Sequence, residues 1–191
     1  IAIAKDAAFS FIYPHMLADL ARRGATVLPF SPLADDPVPD ADYVFLPGGY
    51  PELFARQLAG AETFMQSLRS AAQTSDIYGE CGGYMTLGEA LIDADGTAHK
   101  MAGLLGLTSS FKDRKLHLGY RTLQQKAAHP LITTANAAST YYAHEFHYAT
   151  TLDAQGRALF DATDAQGTLL GPIGLIDGRV AGSFAHIVDR V

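Results

Sequence analysis

Residues 79–83 read Gly-Glu-Cys-Gly-Gly, and Cys81 is the only cysteine of the chain. The preceding run, Ser75-Asp76-Ile77-Tyr78, predicts a short strand, and Tyr84 to Leu91 predicts a helix. A reactive residue flanked by glycines on a strand-to-helix turn is the layout of a nucleophile elbow. Glycine lets the backbone turn sharply and lets a neighbouring segment approach closely. The helix after the turn directs free N–H groups and its positive dipole end at the thiol. That field is expected to lower the cysteine pKa and favour the attacking thiolate. The competing reading is a buried structural cysteine, and the flanking glycines weigh against it.

The surrounding pattern alternates short apolar runs with amphipathic ones. Ile1 to Ala4, Thr26 to Phe30, Tyr43 to Leu46 and Ile77-Tyr78 predict strands. Phe9 to Arg23 has helical spacing, with Phe9, Ile12, Met16 and Leu20 on one side, and Ala61 to Ala72 predicts a second helix. Short apolar strands in βαβαβ order imply a parallel sheet covered on both faces. The second half reads differently. Leu104 to Phe111, Leu116 to Leu123, Ala143 to Tyr148, Thr168 to Ile176 and Val180 to Phe184 predict strands with few helices between them. Asp177-Gly178 between the last two is a two-residue hairpin signal. The expected fold is α/β, flavodoxin-like and doubly wound, with a mostly parallel sheet and an antiparallel extension in the second half.

At 191 residues the chain fits one domain, 1–191, with a substantial core. Its apolar runs are too short to span a bilayer, and no signal peptide opens it. A single cysteine fits a reducing compartment, so a cytoplasmic location is expected. A formal net charge of −6 without a basic cluster argues against nucleic acid as a partner. The chain opens directly in a strand-like run without methionine. That opening is expected of a fragment cut at a domain boundary, with the missing part upstream.

In an open α/β sheet, ligands sit at the carboxyl ends of the strands. Two glycine pairs fall there, Gly48-Gly49 after the third strand and Gly82-Gly83 after the fourth. The backbone N–H groups of Gly49 and Gly82 are the candidate oxyanion donors, one following the nucleophile and one from a neighbouring loop. A thiol nucleophile also needs a base that later protonates the leaving group. Of seven histidines, His186 is placed best, at the end of the last strand in Gly182-Ser183-Phe184-Ala185-His186. Spacing alone does not choose it over the others. His144-Glu145-Phe146-His147 superficially resembles a zinc-protease motif, but on a strand positions 144 and 147 point to opposite faces. No metal site is expected. No phosphate loop appears either, so no ATP site is expected in this chain.

Five motifs together, Pro47-Gly48-Gly49-Tyr50-Pro51-Glu52, Gly79 to Met85, His117-Leu118-Gly119-Tyr120-Arg121, His144 to Tyr148 and Gly182 to His186, resemble the glutaminase domain of cobyrinic acid a,c-diamide synthases. The opening Ile1 to Phe11 is similar as well, and relatives of that family act on hydrogenobyrinic acid or a nickel tetrapyrrole. The resemblance implies a triad-type glutamine amidotransferase domain of a ligase in cobalamin biosynthesis. Cys81 attacks the glutamine side-chain amide, and His186 is base and then acid. Ammonia passes to an upstream domain that uses ATP and magnesium to amidate the a and c carboxylates of a corrin precursor; this chain itself needs no cofactor.

One position departs from the wider amidotransferase pattern. A glutamate commonly stands two residues after the histidine; here that residue is Val188. Asp189, Glu145, a backbone carbonyl or water are then the candidates to orient His186. Two rival readings share the elbow: another cysteine hydrolase of the same fold, such as a peptidase or deglycase, and a degenerate binding module.

Overall fold

A computed structural model describes residues 1–129 and 139–190. The strands are β1 (Ala2–Ala4), β2 (Leu28–Phe30), β3 (Tyr43–Leu46), β4 (Asp76–Glu80), β5 (Ala90–Ile92), β6 (Ala98–Lys100) and β7 (Gly106–Ser110). Then come β8 (His117–Gln125), β9 (Thr140–His147), β10 (Thr150–Gln155), β11 (Arg157–Asp164), β12 (Leu169–Asp177), β13 (Val180–Ser183) and β14 (His186–Arg190). The helices are α1 (Pro14–Arg22), α2 (Ala55–Gly60), α3 (Glu62–Ala71) and α4 (Gly82–Leu87).

Ten strands form one sheet in the order β14-β9-β8-β11-β12-β13-β4-β3-β1-β2. From β2 to β13 every neighbouring pair is parallel. That five-stranded part has the 2-1-3-4-5 order of flavodoxin-like folds. From β13 to β14 every pair is antiparallel. The parallel core with an antiparallel extension is therefore present. A smaller sheet, β10-β7-β5-β6, packs beside it.

Side-chain alternation along the parallel strands explains why both faces are covered. Ala2, Ala4, Val44, Leu46 and Ile77 enter one core with Leu58, Phe64, Leu68 and Met85 from α2, α3 and α4. Ile3, Tyr43, Phe45 and Tyr78 enter the other, where Met16, Leu17 and Leu20 of α1 pack against them. Tyr141, Ala143, Phe160 and Ala162 continue this second core under the extension. Each fully buried large side chain contributes about 1.5–3 kcal/mol by leaving water.

Three sequence expectations are corrected. The first helix begins at Pro14, not Phe9. Proline fits the first helical position but disfavours helical backbone just before it. Phe9 is instead fully buried, and the Phe11 N–H donates to the Gly48 carbonyl at 3.0 Å. The helix after the elbow stops at Leu87, because Gly88 is extended and residues 90–92 are taken into pairing with β6 and β7. Finally, β5, β6, β10, β11 and β14 were not expected as strands; several are short or carry polar residues where an apolar alternation is weak.

Phe160 lies at the seam between the extension and the second core and is fully buried. Phe160→Ala should cost about 3–5 kcal/mol of unfolding free energy. A denaturant melt that stays cooperative and within about 1 kcal/mol of the parent would show that the extension is not part of one core.

Candidate active site

The site is assembled where β3, β4 and β13 end together. β4 runs into Cys81, whose backbone has φ 50° and ψ −101°. For a residue with a Cβ this conformation costs on the order of 1–3 kcal/mol and persists only when the surroundings enforce it. They do so on both sides. The Cys81 N–H donates to the Ser183 carbonyl of β13 at 2.8 Å, and the Cys81 carbonyl accepts from Met85 N–H at 3.1 Å, opening α4.

The loop after β3 crosses directly beneath. A Cβ on Gly48 would lie 2.7 Å from His186 Cε1 and 3.4 Å from the Cys81 Cβ, so any side chain there would displace the histidine. The same point touches both residues, which brings His186 and Cys81 together in the structure. A Cβ on Gly82 would lie 3.1 Å from the Gly49 amide nitrogen. The Gly49 amide thus lies close to the Gly82 backbone. The Gly82 N–H is also close enough to the thiol to favour its charged form.

His186 is buried, and its Nδ1 faces Glu80 Oε1 at 2.9 Å. The approach is not aligned as a hydrogen bond, and neither atom has another hydrogen-bond partner among the described residues. The two atoms therefore face each other as each other's nearest polar partner. Glu80 Oε2 accepts the Ile187 N–H at 3.3 Å. Behind Glu80 lies a mostly apolar cavity of about 300 Å³ between α1 and the sheet, lined by Ile3, Met16, Phe45 and Tyr78 among others. A weakly polarisable surrounding of this kind strengthens the interaction between a carboxylate and an imidazole.

The structure brings neither of the two sequence candidates to His186 Nδ1. Asp189 is exposed and accepts the Arg190 N–H at 2.8 Å. Glu145 turns to the opposite face of β9 and binds Arg121 at 2.6 Å. Burial pushes the Glu145 carboxyl up, and the His147 ring and the Arg121 guanidinium together more than reverse this, so it stays below the usual range. At 3.8 Å the His147 nitrogen is beyond hydrogen-bond reach, so the Arg121 contact is the dominant one. Glu80 went unseen because it adjoins the nucleophile in sequence. The available signal was a carboxylate at the end of a buried apolar strand, which requires a partner. That partner is supplied by the register, in which Ser183 of β13 lies opposite Glu80.

The remaining histidines are distributed as strand parity predicts. His144 stacks on His186 with ring centroids 4.9 Å apart, whereas His147 stacks on Phe184 at 4.1 Å and on His117 at 4.6 Å. Among the described residues no group of three or more His, Cys, Asp or Glu is placed to hold a metal ion. Likewise, no helix among them is long and apolar enough to cross a membrane.

The electrostatics of Cys81 run against the expected thiolate. Burial pushes its pKa up to about 12, Glu80 adds to this, and the Gly82 N–H only partly offsets it. Desolvation outweighs a helix of six residues. The resting group is a neutral thiol.

The fold is that of glutamine amidotransferases. A glutamine amidotransferase from Thermotoga maritima superposes with a TM-score of 0.62 over 97% of this chain and 74% of its own, at 14% identity. A second solved glutamine amidotransferase gives 0.59 over 97% and 89%, at 12% identity. At the level of family, residues 1–190 match the CobB/CobQ-like glutamine amidotransferase domain, and the chain belongs to that family. It is 53% identical over 189 residues to hydrogenobyrinate a,c-diamide synthase of Rhodobacter capsulatus, covering 98% of this chain. It is 49% identical to the enzyme of that name from Brucella anthropi and 47% to that from Mesorhizobium japonicum, covering 99% and 100% of this chain. The chain spans 43% of the length of each of these relatives.

The raised thiol pKa has a direct readout, because Cys81 is the sole cysteine. Difference absorbance of thiolate between the parent and Cys81→Ala should show no step up to about pH 9, with ionisation only far above the ordinary thiol range. A step at or below about pH 8 would restore the dipole-stabilised thiolate.

Proposed function

We propose that this chain is the glutaminase part of a hydrogenobyrinate a,c-diamide synthase-like enzyme, with Cys81 as nucleophile, His186 as base and Glu80 as the group that orients it. The observation that carries this reading is a strained, buried Cys81 and a buried His186 that both adjoin Gly48, with His186 Nδ1 2.9 Å from Glu80 Oε1. Glutamine supplies its side-chain amide. The Cys81 Sγ attacks the amide carbon while the thiol proton moves to His186. The oxyanion accepts hydrogen bonds from the Gly49 and Gly82 N–H groups. His186 returns the proton to the nitrogen, the C–N bond breaks, and ammonia leaves a γ-glutamyl thioester. A water molecule, deprotonated by His186, attacks the thioester carbon; glutamate departs and the thiol is restored.

Glu80 stabilises the imidazolium present in both half-reactions and holds the ring so that Nε2 serves the thiol. This assigns the carboxylate whose usual position holds Val188. It also explains how a thiol with a pKa near 12 reacts at neutral pH: the proton moves only as the S–C bond forms, so no free thiolate needs to accumulate. Ammonia is then used by an ATP- and magnesium-dependent portion, upstream of this domain in the full-length enzyme. There it amidates the a and c carboxylates of a corrin precursor, with hydrogenobyrinate favoured over cobyrinate by the names of the relatives.

In the full-length enzyme, Cys81→Ala should abolish glutamine-dependent amidation and spare ammonia-dependent amidation. His186→Ala should slow thioester formation strongly while ammonia-dependent amidation persists. Loss of both amidation activities in a folded Cys81→Ala protein would overturn the assignment of the nucleophile.

Glu80→Gln keeps the shape of the side chain and removes its charge. Thioester formation should fall roughly 10²–10⁴-fold, as for a lost triad carboxylate. A rate within about twofold of the parent would reduce Glu80 to a structural role.

A further inference from the structure

The antiparallel extension turns one face to solvent, and that face is apolar. Leu118 and Tyr120 of β8 are 65% and 75% exposed, Tyr142 and Phe146 of β9 are 54% and 49% exposed, and Val188 of β14 is 66% exposed. The register makes the β8 and β9 residues neighbours, while Val188 sits at an irregularity of β14 between Ile187 and Asp189. Leu118 lies opposite Phe146, Tyr120 opposite His144, and His144 opposite His186. The strip therefore begins at the catalytic histidine, passes through the stacked His144 ring, and spreads across three strands. A soluble domain rarely leaves a contiguous aromatic sheet face open, and aromatic residues dominate the binding energy of interfaces.

We propose that this face is the docking surface for the ATP-dependent synthetase portion of the enzyme; the inference rests on the amidotransferase reading above. Three observations select that occupant. More than half the length of the relatives lies outside the matched region, since the chain spans 43% of them. The strip is continuous with His186, the residue that protonates the leaving nitrogen as ammonia is released. Ammonia is small and is trapped as ammonium in bulk water, so the acceptor domain must seal the surface next to the point of release. The motif residues Leu118, Tyr120 and Phe146 have no role in the glutamine chemistry, and docking accounts for them. The opposite face of the same strands needs no partner, because there Arg121 binds Glu145 and His147 stacks on Phe184.

The test uses the full-length enzyme with Leu118→Asp and Tyr120→Asp, which place a charge on the face at exposed positions. Tyr120→Thr is the companion that keeps strand propensity. The expected result is a loss of glutamine-dependent amidation of roughly tenfold or more, as for an interface anchor. Ammonia released from glutamine should then appear in solution, uncoupled from product. Ammonia-dependent amidation and labelling of Cys81 by a glutamine-analogue electrophile should stay at parent rates. Leu152→Asp, 58% exposed on the smaller sheet, should leave every readout unchanged. Unchanged coupling in all three face variants overturns the proposal. So does a fall in oligomer mass with coupling intact, which would give the face to a second copy of the chain. Failure of the parent Cys81 to label overturns the amidotransferase reading itself and is distinct from either result.

Discussion

The parallel pairing of β13 with β4 is the constraint on which the site depends. It sets Ser183 beside Glu80 and Gly182 beside Gly79. From there β4 turns into Cys81, and β13 runs on for three residues into His186. Cys81 and His186, more than a hundred residues apart in sequence, therefore meet because two adjacent strands end at the same height. The hydrogen bond from Cys81 N–H to the Ser183 carbonyl ties the elbow to the strand that carries the base. A slip of one residue would turn every side chain of β13 to the other face. Such a slip would drive Ala181 and Gly182 out of their fitted places, and the tight approach of Gly182 to the Tyr84 ring makes it costly.

Burial and charge are opposed within the site, and burial prevails at the thiol. A shallow elbow with a long helix behind it would favour thiolate, which is reactive toward any electrophile. Here the sulfur is nearly sealed and its neighbours include the carboxylates Glu80, Glu52 and Glu145, all of which hold the proton on. The same Glu80 that holds the proton on Cys81 lies 2.9 Å from His186 Nδ1. Under the mechanism proposed above, one carboxylate then disfavours negative charge on Cys81 before attack and stabilises the positive charge that forms on His186 during it, which is the requirement for rate rather than mere binding.

Much of this was legible from residue order. The short apolar runs of the first half, each with side chains for both faces, specify parallel strands between helical layers, and the glycines around Cys81 specify the elbow. The strands of the first half and the helix ending near Ala72 stand where the pattern puts them. Three kinds of feature did not show. The start of α1 at Pro14 was masked because Phe9 and Ile12 fit the helical spacing while serving other contacts. The strands β5 and β6 are three residues each and gain their stability from pairing, not from pattern. Glu80 was hidden because contact across a sheet depends on register, and register is settled by packing over the whole fold. The two named candidates, Asp189 and Glu145, lie on β14 and β9, whereas Glu80 stands at the end of β4.

The departure at position 188 and the exposed face of the extension are two consequences of one arrangement. Val188 sits at an irregularity of β14, between Ile187 opposite Ala143 and Asp189 opposite Tyr142, and is 66% exposed, so a carboxylate there would face solvent near the apolar strip. Moving the orienting charge to Glu80, on the buried side of His186, leaves β14 free to carry valine at that point. A charge buried at an interface is costly unless it is fully paired, whereas an apolar side chain there adds to association. If the proposed roles of Glu80 and of this face hold, the relocation separates two demands that would otherwise compete at the same strand: a polar partner for the imidazole and a dry surface for the domain that receives ammonia.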